Sequence, residues 1–216
     1  NTSTDRNATH TYAAPGLYSV TLNASNAYGY NLTTFENYID VGNPPAAGFT
    51  TNVTGGNAPQ AVQFTDTTEH TPTSWNWTFG DGSFSEDQHP VHVYTAAGTY
   101  TVTLNASNAF GFSLNSTTIS VLDPPVANFS ANATVIPTGS AVAFTDDSTG
   151  DITGWAWDFG DGNTSTDRNA THTYTAPGTY SVTLNASNPY GYNISTRTDY
   201  IDVGNPPAAG FSANAT

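Results

Sequence analysis

Three aromatic residues alternate and then run into a turn in the stretch Trp155-Ala156-Trp157-Asp158-Phe159-Gly160-Asp161-Gly162. Successive side chains of a β-strand point to opposite faces, so the three aromatics share one face and Ala156 and Asp158 share the other. The Asp-Gly pair is typical of a tight hairpin with positive φ. The stretch therefore predicts the core strand of a β-sandwich followed by a hairpin, rather than a catalytic motif.

The chain is repetitive. The aromatic stretch recurs almost unchanged as Trp75-Asn76-Trp77-Thr78-Phe79-Gly80-Asp81-Gly82. A second motif, which ends in Thr-Leu-Asn-Ala-Ser-Asn, begins at Tyr12, Tyr94 and Tyr174, with spacings of 82 and 80 residues. Residues 1–54 also match residues 163–216 at about four positions in five. Self-similarity at such periods indicates an array of domains, here of two alternating kinds.

Pro-Pro pairs at 44–45, 124–125 and 206–207 mark the predicted domain boundaries. We expect the C-terminal half of one domain at 1–43, complete domains at 44–123 and 124–205, and the start of a further domain at 206–216. This layout favours a segment of a longer repetitive protein. The alternative is strand donation between neighbouring chains. That alternative is weaker because 206–216 supplies only a first strand, which leaves 1–43 without its second strand and its Trp strand.

Composition excludes several classes of function. The formal net charge is −14, and the only cationic side chains apart from histidine are Arg6, Arg168 and Arg197. Such a chain cannot neutralise phosphates, which argues against nucleic acid and against anionic membrane surfaces as partners. No run is long enough to span a membrane, so we expect no membrane insertion. Charged residues are only 9% of the chain, so Ser, Thr and Asn must supply most of the polar groups on the solvent-exposed surface. The absence of Cys leaves the redox compartment open.

Short, regularly spaced strand patterns separated by Gly, Pro and Asn fill each complete domain. No stretch shows helical periodicity with caps. The fold class is therefore all-β. In residues 124–205 the predicted strands are 127–131, 140–146, 154–160, 164–167, 171–175, 178–188 and 194–203.

These residues carry a family resemblance. The motif Trp157-Asp158-Phe159-Gly160-Asp161-Gly162, then His172-Thr173-Tyr174, then Pro177-Gly178-Thr179-Tyr180-Ser181-Val182-Thr183-Leu184, closely resembles the polycystic-kidney-disease (PKD) domain. The resemblance implies tandem immunoglobulin-like β-sandwiches of the kind common in microbial surface proteins. Thr78 stands where the other complete domain has Asp158, so no role of Asp158 carries over to both domains.

Catalysis is not expected. The four tryptophans could stack on bound sugars, but we interpret all four as core residues because they alternate on a strand in phase with a phenylalanine. Trp75 and Trp155 lie near the start of their strands. The histidines (His10, His70, His89, His92 and His172) lack the converging partners of a metal site and are interpreted as structural or exposed. No Gly-x-Ser-x-Gly elbow occurs, and the carboxylate pairs recur only partly between domains. We therefore predict no enzyme activity and no required cofactor.

Calcium is the open question among metals. Several carboxylates lie at predicted strand ends, and hard cations prefer such oxygens. Some PKD-like domains bind calcium near the interdomain linker. No loop has the dense acidic pattern of a dedicated calcium loop, however. The candidate ligands are Asp146, Asp147 and Asp151.

The strongest chemical signal is the N-glycan acceptor Asn-x-Ser/Thr. It includes 15 of the 22 asparagines, whereas chance would give roughly 5 or 6 at this Ser and Thr content. Asn76, Asn105 and Asn185 have the outward parity of their strands. We predict glycosylation, with covalent N-glycans that keep a low-charge surface soluble. The acceptors are Asn1, Asn7, Asn23, Asn31, Asn52, Asn76, Asn105, Asn115, Asn128, Asn132, Asn163, Asn169, Asn185, Asn193 and Asn214.

Two functions remain. The first is an extracellular structural protein, archaeal or bacterial, whose tandem domains self-associate into a glycosylated rod, filament, sheath or surface layer at the cell surface. Adjacent repeats joined by short Pro-Pro linkers suit such an array. The second is a spacer or binding module of a surface adhesin, or of a secreted polysaccharide- or protein-degrading enzyme.

Overall fold

The computed structural model describes residues 1–205 and residue 210, and every regular element in them is a β-strand. This confirms the all-β prediction. Residues 1–123 contain β1 (Gly16–Asn26), β2 (Gly29–Val41), β3 (Phe49–Thr51), β4 (Gly55–Asn57), β5 (Gln60–Asp66), β6 (Ser74–Thr78), β7 (Phe84–Ser85), β8 (Val91–Tyr94), β9 (Gly98–Asn108) and β10 (Gly111–Leu122). Residues 124–205 contain β11 (Phe129–Ala131), β12 (Val135–Pro137), β13 (Ala141–Asp146), β14 (Gly154–Asp158), β15 (Thr164–Ser165), β16 (Ala170–Thr173), β17 (Gly178–Asn188) and β18 (Gly191–Gly204).

The chain divides into two compact units. The first comprises Asn1–Thr54, Ala61–His92 and Tyr100–Ile119, and the second comprises Gly55–Gln60, Val93–Thr99 and Ser120–Thr216. The boundaries predicted at 44, 124 and 206 remain predictions. The predicted start of a further domain, 206–216, lies outside the described residues apart from Gly210.

Residues 124–205 form a sandwich of two sheets. One sheet has the order β11-β13-β16, and the other has the order β12-β18-β17-β14-β15. Both sheets contribute to a single apolar core. Burying each large aliphatic side chain contributes roughly 1.5–3 kcal/mol, so this core is the main source of stability. Its members include Phe129, Val142, Phe144, Trp157, Phe159, Val182, Leu184 and Ile201.

The aromatic strand lies in this core, as predicted. Trp157 and Phe159 are buried, whereas Ala156 and Asp158 are exposed. Trp155 is half-buried and packs against the core. The indole Nε1 of Trp157 donates to the Asp167 carbonyl at 2.8 Å, so the buried ring leaves no unpaired donor.

The predicted hairpin follows directly. β14 pairs with β15 through Trp157↔Ser165 and Asp158↔Thr164. The two glycines of the loop adopt positive φ, +80° at Gly160 and +89° at Gly162. A Cβ at Gly160 would lie 2.3 Å from the Ser181 carbonyl oxygen, so the strand β17 leaves room only for glycine there.

Two strand boundaries differ from the sequence prediction. No strand is predicted between 131 and 140, but Val135–Pro137 form β12, which pairs in parallel with the end of β18. Proline is tolerated there because β12 is an edge strand. The last strand begins at Gly191 rather than at 194, since the β17–β18 hairpin closes tightly at Asn188↔Gly191.

Residues 44–123 repeat the arrangement, with sheets β3-β5-β8 and β4-β10-β9-β6-β7. Trp77 is fully buried and contacts Phe49 and Phe64, with ring centroids 5.0 and 5.6 Å away. Its Nε1 donates to the Asp87 carbonyl at 2.9 Å, as its counterpart Trp157 does to Asp167. The core interpretation of Trp77 and Trp157 is therefore confirmed.

Residues 1–43 form one hairpin, β1–β2. Its register matches that of β17–β18: Leu22 lies opposite Thr33 as Leu184 lies opposite Ser195. Leu22 is 67% exposed, however, whereas Leu184 is fully buried. The hairpin thus has the local structure of the C-terminal half of a domain without its covering sheet.

Candidate functional site

Each complete domain contains one carboxylate that fixes the first tryptophan of the aromatic strand. Asp146 Oδ2 accepts a hydrogen bond from Trp155 Nε1 at 2.9 Å, and Asp146 Oδ1 accepts one from the Ser148 amide at 3.1 Å. Arg168 Nε also donates to Asp146 Oδ2, at 3.2 Å. Desolvation raises the pKa of Asp146, but these hydrogen bonds outweigh it and the pKa lies below its ordinary value.

The equivalent carboxylate in residues 44–123 is Asp66. It accepts from Trp75 Nε1 at 2.8 Å, and Gln88 Nε2 takes the place of Arg168 at 3.0 Å. The Trp–Asp hydrogen bond therefore belongs to the repeated fold, while its third partner differs between the two kinds of domain. Trp75 and Trp155 are half-buried, and the hydrogen bonds to these carboxylates satisfy their indole N–H groups.

A second carboxylate pairs with a histidine. His172 Nε2 lies 2.7 Å from Asp161 Oδ2, and the imidazole stacks on Phe159 at a centroid distance of 4.3 Å. The same geometry joins His92 to Asp81 at 2.7 Å and to Phe79 at 4.3 Å. Both histidines thus link the aromatic strand to the Gly-Asp-Gly turn, which is a structural role.

The turn carboxylates are held in their ionised form. Burial raises the pKa of Asp81, but hydrogen bonds from Ser83 and His92, with attraction to His92, bring it down to about 2. Burial likewise raises the pKa of Asp161, and hydrogen bonds from His172 and Asn163 more than compensate, so its pKa is also lowered. Burial raises the pKa of Tyr174, whose hydroxyl donates to the Phe159 carbonyl at 3.1 Å.

The structure does not bring the three candidate calcium ligands together. Both carboxylate oxygens of Asp146 accept bonds from protein donors, and Asp151 Oδ2 accepts from the Asp123 amide at 2.7 Å. The Asp147 amide bonds to the Asn128 carbonyl at 2.9 Å. Among residues 1–205, no three acidic or histidine side chains are grouped so that they could hold a metal ion. Calcium binding stays a prediction.

Most of the acceptor asparagines within the described residues are exposed. Asn132 Oδ1 accepts from the Ala143 amide and Asn193 Oδ1 from the Ala127 amide, both at 2.9 Å. Asn52 Oδ1 and Asn169 Oδ1 likewise accept from backbone amides. An Oδ1 held in this way leaves Nδ2, the atom that carries a glycan, on the other side of the carboxamide. The exposed acceptors are Asn1, Asn7, Asn23, Asn31, Asn52, Asn76, Asn128, Asn132, Asn163, Asn169 and Asn193.

Three acceptors are only half-buried rather than exposed: Asn105, Asn115 and Asn185. Asn115 Nδ2 donates to the Ala47 carbonyl at 3.0 Å. The Oδ1 atoms of Asn105 and Asn185 are buried without a hydrogen-bond partner. The outward parity predicted for Asn105 and Asn185 is right, since Leu104 and Leu184 beside them are buried. Parity alone did not reveal how far neighbouring strands cover them. Asn214 lies outside the described residues.

Comparison with known sequences identifies the repeating unit. Sequence models of the PKD domain match residues 1–39, 42–122 and 122–203, which is nearly the whole chain. The chain belongs to the PKD domain family. PKD domains are typically extracellular and non-catalytic.

The chain is also similar to individual known proteins. Human polycystin-1 is 29% identical over 196 residues, which is 87% of this chain but only 4% of polycystin-1. The PKD1 domain of the Vibrio cholerae metalloprotease PrtV is 32% identical, covering 36% of this chain and 95% of that domain, with a TM-score of 0.33.

The titin I-band fragment I67–I69 shares the fold. It is 16% identical with a TM-score of 0.61, and the alignment covers 86% of this chain and 74% of that fragment. The immunoglobulin-like sandwich is therefore the fold of these PKD domains. No helix within residues 1–205 is long and apolar enough to cross a membrane.

The two PKD domains differ on the exposed side of the aromatic strand. Asp158 Oδ1 accepts from the Gly160 amide at 2.9 Å, and Thr78 stands at the equivalent position. Beside them, Asn76 replaces Ala156. The sequence prediction starts the last strand at 194, so it does not place Tyr192 on this strand, where Tyr192 and Ile194 are both exposed. Their alternation with small and polar residues after Gly191 was the available signal.

Proposed function

We propose that this chain is a non-catalytic structural segment of an extracellular, N-glycosylated repeat protein that assembles into a filament, sheath or surface layer. The observation that carries the proposal is the repetition of one sandwich in which acceptor asparagines occupy exposed positions. Asn76, Asn132 and Asn193 are examples at three different strands or loops. A charged fraction of 9% is low for a soluble surface, and glycans supply the missing hydration.

Self-association follows from the repeat. Near-identical domains offer the same surfaces at regular intervals along the chain, so any contact between two chains recurs at each period. A weak contact repeated in this way gives strong overall binding through effective concentration. This supports an ordered fibre or array rather than a single stoichiometric complex.

A spacer role is the second candidate. The chain is 29% identical to a stretch that makes up only 4% of human polycystin-1, so PKD domains can form a small part of a very long polypeptide. In that case the function of the whole protein resides in other regions, and the PKD array sets distances between them.

Negative-stain microscopy of the protein from its native source tests the proposal. We expect filaments or sheets with a regular repeat along their length. Discrete particles without filaments would contradict the structural role and favour the spacer. As a matched comparison, the 216-residue chain should be produced in hosts with and without N-glycosylation. The unglycosylated chain should precipitate at lower protein concentration, since its surface has few charges.

A further inference from the structure

A pair of exposed apolar side chains recurs on the last hairpin of each repeat. In residues 124–205 the pair is Tyr192 and Ile194, which are 68% and 52% exposed. The equivalent pairs are Phe112 with Leu114 and Tyr30 with Leu32, and every member is more than half exposed. Single exposed apolar residues need no explanation, but the same adjacent pair in every copy indicates a surface that something covers.

The cross-strand register places this pair beside an acceptor asparagine. Asn185 lies directly opposite Ile194, and Ser187 lies opposite Tyr192. Directly opposed side chains share a face with Cβ atoms about 5 Å apart, and diagonal neighbours remain within reach of an aromatic ring. Both apolar side chains therefore flank Asn185 on the outer face of the sheet. The β1–β2 hairpin repeats the register, with Asn23 opposite Leu32.

The Asn185 side chain is oriented for attachment. Of its two polar atoms, only Oδ1 is both buried and unpartnered. With Oδ1 turned into the sheet, Nδ2 is directed towards the outer face. On the other flank, Asn185 lies opposite Ala156 of β14, a small exposed residue that leaves space above the strand. The sequence Asn185-Ala186-Ser187 completes the acceptor motif.

We propose that the first sugar of an N-glycan on Asn185 lies flat against Tyr192 and Ile194. This inference rests on the glycosylation in the proposed function and specifies where the sugar packs. A pyranose ring has one face made largely of C–H groups, which suits contact with an aromatic face and an aliphatic side chain. The sugar thereby covers the apolar pair and keeps its hydroxyls in water.

Attachment is a group transfer from an activated donor of the lipid-diphosphate sugar class. A bond forms between Asn185 Nδ2 and the anomeric carbon, the amide loses one proton, and the lipid diphosphate leaves. The carboxamide oxygen takes no part in the new linkage, so its position under the sheet surface is kept. The adjacency of sequon and apolar pair in both hairpins of known register favours the chain's own glycan over a second copy of the chain.

The test uses the 216-residue chain secreted from a eukaryotic host and trimmed to one N-acetylglucosamine at each site. We expect the C–H proton resonances of the sugar on Asn185, assigned by their loss in Asn185→Gln, to be shifted upfield by the Tyr192 ring. Tyr192→Ser should remove that shift. Val91→Thr, which alters an equally exposed apolar residue elsewhere (61%), should leave it intact. Tyr192 is exposed, so Tyr192→Ser should fold normally, which circular dichroism checks.

Other outcomes distinguish the packing of the sugar on Tyr192 and Ile194 from the glycosylation of Asn185 itself. Mass spectrometry first establishes that the chain carries sugar at Asn185. If the sugar resonances then do not respond to Tyr192→Ser, the packing is wrong but the glycosylation of Asn185 is still supported. If Tyr192→Ser instead abolishes self-association without moving those resonances, the pair is a contact between chains and the inference fails. A bare Asn185 in the protein from its native source would overturn both the site and the packing.

Discussion

Gly160 and Gly162 lie two residues apart in the same turn, yet their surroundings differ. Both have positive φ, which costs a residue with a Cβ about 1–2 kcal/mol. At Gly162 an added Cβ meets nothing within 4 Å, whereas at Gly160 it meets a backbone carbonyl of β17 at 2.3 Å. Only Gly160 is therefore required by packing as well as by conformation.

Alanine substitutions distinguish these two requirements. Gly162→Ala should lower the free energy of unfolding by about 1 kcal/mol, from backbone strain alone. Gly160→Ala should lower it by roughly 3 kcal/mol or more, because β14 and β17 must also separate. Urea denaturation followed by tryptophan fluorescence measures both. Equal effects would contradict the close approach of the turn to β17.

The Asp–His pairs give the protein a specific sensitivity to acid. The pKa of Asp81 falls from 3.8 to about 2 on folding. Between about pH 4 and pH 2 the unfolded chain therefore binds more protons, and stability is lost as the pH falls through this range. Above pH 4 the full contribution of Asp81 is present.

Asp81→Asn should therefore be less stable than the unmodified chain at pH 7 and should lose less stability on acidification. The difference between the two free energies of unfolding should shrink as the pH approaches 2. Asp161→Asn tests the same effect in the other PKD domain, where the pKa is also lowered. Parallel pH profiles for variant and unmodified chain would show that the carboxylate is not responsible.

At the scale of the strand, the equivalent acceptors Asn105 and Asn185 have different cross-strand neighbours in the two PKD domains. Asn105 lies directly opposite Asn76, and both belong to acceptor motifs, whereas Asn185 lies opposite Ala156. Directly opposed side chains on one face have Cβ atoms about 5 Å apart, so two glycans attached to them would compete for the same space. Asn76 is exposed and Asn105 is half-buried, so Asn76 has the better access.

We expect glycopeptide mass spectrometry to find Asn76 occupied and Asn105 largely bare. Asn76→Gln should then raise the occupancy of Asn105, because the competing glycan is gone. Asn185 serves as the internal control and should not change. Finding both Asn76 and Asn105 occupied on the same peptide population would refute the steric exclusion.

Much of the strand-level structure follows from local patterns. The alternation around Trp157 predicts its burial, and the Gly-Asp-Gly run predicts the hairpin, because both depend on neighbours in sequence. The parallel strand β12 could not be predicted, since its three residues, ending in Pro137, pair only with residues 67 positions further along the chain. The half-burial of Asn105 and Asn185 was missed for a similar reason: it depends on the strands at either side.

The same distinction applies to the candidate site. Acceptor motifs are local, so all fifteen could be found from the sequence. The hydrogen bonds that Asp146 accepts from Trp155 and that join Asp161 to His172 are not local, so no sequence pattern predicts that these carboxylates have partners. The sequence alone therefore makes Asp146 a candidate metal ligand, whereas in the structure both of its carboxylate oxygens accept hydrogen bonds.

For the molecule as a whole, low charge and frequent acceptor motifs are explained together if glycans form much of its outer surface. Eleven acceptors are exposed, and these are spread over residues 1–43 and both complete PKD domains. Asn115 is different because it is half-buried and its Nδ2 also donates to the Ala47 carbonyl. A glycan at Asn115 would have to fit beside this contact and the strands that cover the side chain, so Asn115 should carry little glycan although it has the motif.

Site-resolved mapping of N-glycans on the protein from its native source tests whether glycans form much of its outer surface. We predict glycans at exposed acceptors such as Asn132, Asn169 and Asn193, and little or none at Asn115. Removal of the glycans by a glycosidase should then reduce solubility. Bare asparagines at the exposed positions, or an occupancy at Asn115 equal to theirs, would contradict a glycan-covered structural repeat.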